Sequence, residues 1–527
     1  MSLLQGRLNF DVLTNVITLL QEEKEEGSSS STTYKLACSA LFALARTCEE
    51  LKDPSLKALW RRQDRILPVL KLIPRFTQDT SDLNNGRNYW FLDGFISKTD
   101  WQRFDVYARL IEEIHFHPRD QSFGLNAEKI HDSVYVYILS CRESVLFPRL
   151  SKVFTEVGTI LHLFCSPALR YVSVTASRYD GNRADPLVSN YVNRICAMSP
   201  NIQSVALNSV MVHTSALQRL LATSGIRSLQ FHLSPDNFHT QFLEALDMVP
   251  TLHNLESLAI FCLNRSADDV FPDNVPMNHV QKLKAPNLRD LHIRGTLESI
   301  AWLCESIEGT SLRAFKASLL SGPVLRTQSR LYERIWKRIC HLSCNQLEEI
   351  YFQTGHHQGG MAFEPMTADD LLPLYRLQNL VVFSFEYFTP FVLANGDLEL
   401  MARSWPYLQI LDIPLPIALS STKLTAQGIK TLAELCPYLE RLDLTFDATD
   451  PSTIPRVELE GRRLIASSTQ SRLWRLNVND SHVNEACIEP LAVLLKQLFP
   501  NIQAMVFGFS LAIQFWSRVR NRVMDFD

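Results

Sequence analysis

The sequence predicts an α/β solenoid, with parallel strands on a concave face, helices outside, and a small all-α module in front. Two observations predict it. One apolar pattern recurs a dozen times at near-regular spacing, and helical apolar stripes without that pattern fill the first 75 residues.

The pattern is clearest in Pro437-Tyr438-Leu439-Glu440-Arg441-Leu442-Asp443-Leu444, where apolar anchors take positions one, four and six of L-x-x-L-x-L. Twelve copies begin at Leu169, Ile202, Ile226, Leu255, Leu288, Leu312, Leu347, Leu380, Leu408, Leu439, Leu473 and Ile502. Weaker versions stand upstream at Ile111/Ile114/Phe116 and Leu150/Val153/Thr155. First anchors recur every 24–35 residues, close to the roughly 20–29 of leucine-rich repeats. The excess length implies a helix and variable loops on the convex side.

Each unit follows simple physics. The last two anchors alternate with a polar residue, so they share one face of a short strand. Before the strand the spacing is helical, as in Ile429, Leu432, Ala433 and Leu435, which lead into Cys436-Pro437. Proline disfavours α conformation in the residue before it and ends the helix there. Pro167, Pro200, Pro250, Pro286, Pro406 and Pro500 punctuate other units similarly. A lone strand-helix unit cannot bury its apolar side, whereas stacked units share one continuous core. The segment Leu424 to Leu444 also resembles the cysteine-containing repeat class common in substrate receptors of ubiquitin ligases. Between Ser510 and Val523, Ile513, Phe515, Trp516, Val519 and Val523 predict an amphipathic helix that caps the open end.

Bulk properties narrow the function classes. At 527 residues the chain exceeds one compact core, and with 46% apolar and 20% charged residues it reads as an ordinary globular protein. A net charge of −4 provides no basic field to attract nucleic acid or an anionic membrane. The 11 cysteines are scattered without a CxxC, which reads as reduced thiols. Arg7, Asn9, Asp11 and Asn15 interrupt the first 20 residues, so no signal-peptide core is expected. The expected location is intracellular, cytoplasmic or nuclear.

No P-loop, GxGxxG, GxSxG or HExxH pattern is present, so no enzyme, cofactor or metal is expected. Cys340 and Cys344, with His341 between them, read as core packing around a helix end, and His356-His357 as a Gly-rich loop. Binding is expected on the concave sheet. There Tyr351, Glu386, Asp412, Arg441, Asp443, Arg475 and Asn477 are the candidate contacts to a target protein, with tyrosine and arginine the strongest anchors. The segments 271–277 and 446–457 read as long loops that add contacts.

In front of the repeats, Leu8, Val12, Leu13, Val16, Ile17 and Leu20 form one helical apolar stripe. A Glu- and Ser-rich run over 21–33 reads as a linker, and Leu36, Ala40, Leu41, Leu44, Ala45 and Cys48 begin a second helix. Leu56, Leu59 and Trp60 mark a third, and Ile66 to Pro74 closes the module. This arrangement resembles the F-box of fungal F-box proteins with leucine-rich repeats. The resemblance lies in Leu8 to Ile17, Leu41 to Cys48, Ala58 to Arg62, Leu67 to Pro74 and Asp100 to Ala108. It departs by having Asn9-Phe10 where a proline usually follows the first leucine, and by the acidic, Ser-rich insertion. The resemblance implies that Leu8, Val12, Leu13, Val16, Ile17, Leu20, Leu44 and Trp60 dock a Skp-type adaptor and, through it, a cullin. The implied organisation is an F-box-like module over 1–75, a connector with a first atypical repeat over 76–130, the solenoid over 131–509, and a capping helix over 510–527.

Overall fold

In the computed structural model the described residues are 10–26, 32–79, 89–116, 129–142, 144–176, 185–233, 238–246, 252–262, 282–320, 328–343, 345–354, 366–386, 391–414, 423–455, 459–460, 463–464, 472–479, 481–507 and 513–525. Leu8, His356-His357, Cys344, the loop 271–277 and residues 456–457 lie outside them. The chain forms two compact units, Met1–His232 and Leu233–Asp527.

Three helices open the first unit: α1 (Phe10–Glu26), α2 (Thr32–Ala45) and α3 (Glu49–Arg61). They close around Ile17, Leu41, Leu51 and Ala58, with Leu13, Leu20, Leu44 and Leu59 packed against that cluster. α3 then runs directly into β1 (Arg62–Gln63), the first rung of a parallel ladder. The next rungs are β2 (Glu113–Phe116), β3 (Lys152–Glu156), β4 (Tyr171–Thr175), β5 (Ser204–Met211) and β6 (Ser228–Leu233). The two weak upstream repeats are therefore true rungs, with Glu113 paired to Lys152 and Ile114 to Val153. Between β1 and β2, the strands Phe76–Asp79 and Tyr89–Leu92 form an antiparallel pair, and Lys129–Ile130 joins its edge.

The second unit continues the same grammar with β7 (Ser257–Cys262), β8 (Asp290–Gly295), β9 (Ala314–Leu319), β10 (Glu349–Thr354) and β11 (Val382–Glu386), then β12 (Ile410–Ile413), β13 (Arg441–Leu444), β14 (Arg475–Asn477) and β15 (Ala504–Val506). Every neighbouring pair is parallel, and the middle residues stay in one row: Ala259, His292, Lys316, Tyr351, Ser384, Asp412, Asp443, Asn477 and Val506. The leucine-rich-repeat solenoid predicted from spacing is the fold.

Burial follows the anchors. Leu408, Leu411, Leu439, Leu442, Leu473 and Leu476 are all buried, while the residues between them are partly open. The outer helices add aromatic bulk, so that Tyr332, Trp336, Phe352 and Phe385 pack with ring centroids 5.1–6.4 Å apart. Side chains at helix ends also bond carbonyls one repeat away. Trp405 Nε1 donates to Leu374 O at 3.2 Å, Ser199 Oγ to Ser166 O at 2.7 Å, and Thr310 Oγ1 to Leu342 O at 2.8 Å. The last helix, Ile513–Asp525, buries Trp516, Val519 and Val523, and Trp516 Nε1 donates to Ser481 O at 2.7 Å.

Trp405 joins two of these functions, since it is fully buried and also ties two repeats together. Trp405→Ala is expected to cost about 3–5 kcal/mol in urea unfolding, whereas Tyr407→Ala, on the exposed side of the same turn, is expected to cost about 0.5 kcal/mol or less. Equal losses at both sites would contradict this packing.

Candidate interaction surfaces

The first surface lies on the helical module. α1 carries two apolar stripes rather than one. Leu13, Ile17 and Leu20 face the module's own core, and Ile17 is only 7% exposed. Val12, Val16 and Leu19, spaced i, i+4, i+7, face outward at 55%, 39% and 60% exposure. On α2, Leu36 and Phe42 are also exposed. The residues expected to dock an adaptor thus differ in their surroundings. Leu13, Ile17, Leu20 and Leu44 are occupied inside the module, because three short helices need them for a core. Trp60 is likewise engaged, its ring centroid 4.8 Å from that of Tyr107. Of the described residues implied by the resemblance, Val12 and Val16 are exposed, as are Leu19, Leu36 and Phe42.

Polar contacts tie the module together and to the first rungs. Lys24 is 1% exposed and donates from Nζ to Leu59 O at 2.6 Å and Arg62 O at 2.8 Å, at the C-terminal end of α3. A cation there meets the negative end of the helix dipole, while burial lowers its pKa. Arg61 bridges Glu25 of α1 at 2.9 Å, Glu112 at 3.0 Å and Glu113 of β2 at 3.6 Å. Glu113 also takes Lys152 at 2.9 Å and His115 at 3.7 Å. The nearby His115 ring first, then Lys152 and Arg61, hold its carboxyl at about 2, against the opposing effect of burial.

The second surface is the sheet face of the second unit. Tyr351, Asp412, Asp443 and Asn477 occupy one row, and Arg441 and Arg475 are register partners in the row before it. Glu386 pairs through its backbone with Gln353, and its side chain lies outside the described set. Lys316 Nζ sits 4.9 Å from the centre of the Tyr351 ring. Ser384 is buried and donates to Asp412 Oδ2 at 3.3 Å. Asn477 Nδ2 donates to Asp443 Oδ2 at 2.6 Å, and Asn479 Nδ2 donates to Asp443 Oδ1. Asp412 Oδ1 receives no hydrogen bond. Among the described residues, neither Arg441 nor Arg475 forms an ion pair.

Asp412 and Asp443 are direct neighbours on β12 and β13. Burial pushes Asp443 up to about 6, and the charge of Asp412 adds to that; the Asn479 and Asn477 amides pull against it. Burial raises Asp412 too, opposed by the Ser384 and Asp443 hydrogen bonds and by the charges of Arg441 and Arg475.

Some residues here escaped sequence reasoning. Tyr407 and Tyr438 stack at 6.0 Å, Arg472 lies 5.4 Å from the Tyr438 ring centre, and Trp474 is exposed beside them. The repeated Pro-Tyr-Leu at Pro406 and Pro437 was the available clue. In the first unit His115, Phe154 and Tyr171 stack at 4.3 and 4.8 Å across three strands. His115 and Phe154 belong to the two weaker upstream repeats, which hid the cluster. Among the described residues no three His, Cys, Asp or Glu are placed to hold a metal, and no helix is long and apolar enough to cross a membrane.

The acid pair makes stability depend on pH in a defined direction. Asp443 holds its proton more tightly folded than unfolded, so its stabilisation is complete below 3.8 and lost as pH rises through about 6. Asp412→Asn removes the neighbouring charge that helps raise Asp443. It is expected to raise the thermal midpoint at pH 7 by about 1–3 °C and to flatten the decline between about pH 4 and 6. Circular dichroism melts over that range would refute this if the slope were unchanged and the midpoint fell.

No protein-family model and no curated protein matches the chain. Among solved structures it is similar to an internalin of Listeria monocytogenes, with 15% identity over 72% of this chain and 94% of that one, at a TM-score of 0.34. It is also similar to TLR13 in its complex with ssRNA13, with 12% identity over 76% of this chain and 50% of that one, at a TM-score of 0.35. The chain's own parallel ladder and anchor spacing make it a leucine-rich-repeat solenoid.

Proposed function

We propose that this chain is the substrate-recognition subunit of a Skp-cullin-F-box type ubiquitin ligase. The N-terminal helices hold a Skp-type adaptor, which bridges to a cullin, and the concave sheet holds the target protein. The chain performs no chemistry itself; it raises the local concentration of the target near a separate ubiquitin-conjugating enzyme.

One observation carries the reading. α1 exposes Val12, Val16 and Leu19 on its outer face although its inner face already fills the module's core. A helix that served only as a repeat cap would present polar residues outward. An outward i, i+4, i+7 apolar stripe is instead the pattern of a helix that enters a partner's groove. The F-box resemblance of the same residues names that partner's class.

The test is a pull-down of purified Skp-type adaptor by the full chain. Val16→Asp/Leu19→Asp is expected to abolish capture, a loss of about 100-fold or more, with an unchanged thermal midpoint. Leu13→Asp is expected to lower the midpoint instead, because it buries a charge in the helical core. Failure of the well-folded parent chain to capture the adaptor would leave a leucine-rich-repeat scaffold outside any ligase.

A further inference from the structure

On β12, β13 and β14 the sheet face carries two bases and two acids that do not satisfy one another. Arg441 and Arg475 are register partners, as are Asp412 and Asp443. The two rows are two residues apart along β13, so their side chains leave the same face with the pleat. That separation is roughly 7 Å, and neighbours within a row stand about 4.8 Å apart. Among the described residues neither guanidinium comes within ion-pair distance of a carboxylate, and Asp412 Oδ1 has no donor.

We propose that this face binds an extended peptide segment carrying an acidic and a basic residue two positions apart. The acid lies between Arg441 and Arg475; the base lies on Asp412 and Asp443. The proposal rests on the concave face being the target surface and deepens that reading.

The argument is charge complementarity at matched spacing. In an extended chain, side chains i and i+2 share a face and are also separated by roughly 7 Å, so one strand can address both rows at once. Two guanidiniums side by side favour a planar carboxylate. The neighbouring acid pair disfavours a doubly charged phosphate in the same place, since repulsion grows with the ligand's charge. Asn477 and Asn479 hold Asp443 in position, so the acid row is set before a partner arrives.

Two labelled peptides of identical composition and net charge provide the test, titrated onto the full chain by fluorescence anisotropy without adaptor. One alternates Glu-Val-Lys-Val; the other places all Glu in one block and all Lys in another. The alternating peptide is expected to bind roughly tenfold tighter, with that preference lost in Arg441→Ala/Arg475→Ala and reduced in Asp412→Asn. Equal binding of both peptides, or a preference that survives the double arginine variant, would overturn the proposal. Tighter binding of a phosphoserine peptide without lysine would overturn it in favour of phosphate recognition. Adaptor capture is read separately on the same preparations. Failure of the peptides with capture intact removes only this recognition rule, whereas failure of capture removes the ligase reading.

Discussion

Everything in this protein depends on one constraint: a short strand of two to eight residues, joined to one helix, has no way to bury its apolar side alone. Its partner must be the next copy. That is why the anchors Leu408, Leu411, Leu439, Leu442, Leu473 and Leu476 are buried to within 1%. Pairing in parallel also leaves each strand's backbone groups facing a neighbour rather than water. The bonds from Trp405, Ser199 and Thr310 extend this dependence to carbonyls of an adjacent repeat, at or near its helix end. Stability in such a ladder is approximately a sum of repeat and neighbour terms, so damage at one anchor spreads to adjacent rungs.

The same constraint creates the ordered rows of the sheet face. Parallel strands held in strict register place the third and fifth residues of each repeat in straight rows, whatever those residues are. When two acids fall next to each other in a row, as Asp412 and Asp443 do, the fold holds them there at an electrostatic cost. Half-burial sharpens that cost by weakening hydration, and Ser384, Asn477 and Asn479 offset only part of it. Local stability is thus given up on a face with no structural need for charge, which is the pattern expected where a surface is kept for recognition.

The repeats were legible in the sequence because spacing encodes them directly. Even Ile111/Ile114/Phe116 could be placed, since Ile114 needed only to fall opposite Val153. The helical module was legible in outline but not in orientation. Apolar residues cover more than half of α1's circumference, and periodicity cannot tell which stripe faces inward when both Ile17 and Val16 are apolar. Only the packing of Leu41 and Leu51 decides it. Lys24 was equally hidden, since a lysine inside an acidic run reads as solvated. Its burial follows from where the end of α3 arrives, a fact of tertiary geometry. Tyr407, Tyr438 and Arg472 were missed because anchors draw attention to strands, while these residues stand just before them.

The module and the first rungs are best understood as one construction. α3 becomes β1 without a linker, and β1 pairs with β2 at Arg62–Glu113 and Gln63–Ile114. Arg61, at the junction, holds α1 through Glu25 and β2 through Glu113 at once. With Lys24 fixed to the end of α3, α1 has little freedom to roll about its axis. Rolling would bring Val12, Val16 and Leu19 inward only by expelling Leu13 and Ile17 and by unpairing a buried ammonium, a penalty of several kcal/mol. The exposed stripe is therefore a consequence of how the module is tied down. A patch held in this way would need little ordering to be covered, the condition under which a small apolar patch can bind tightly.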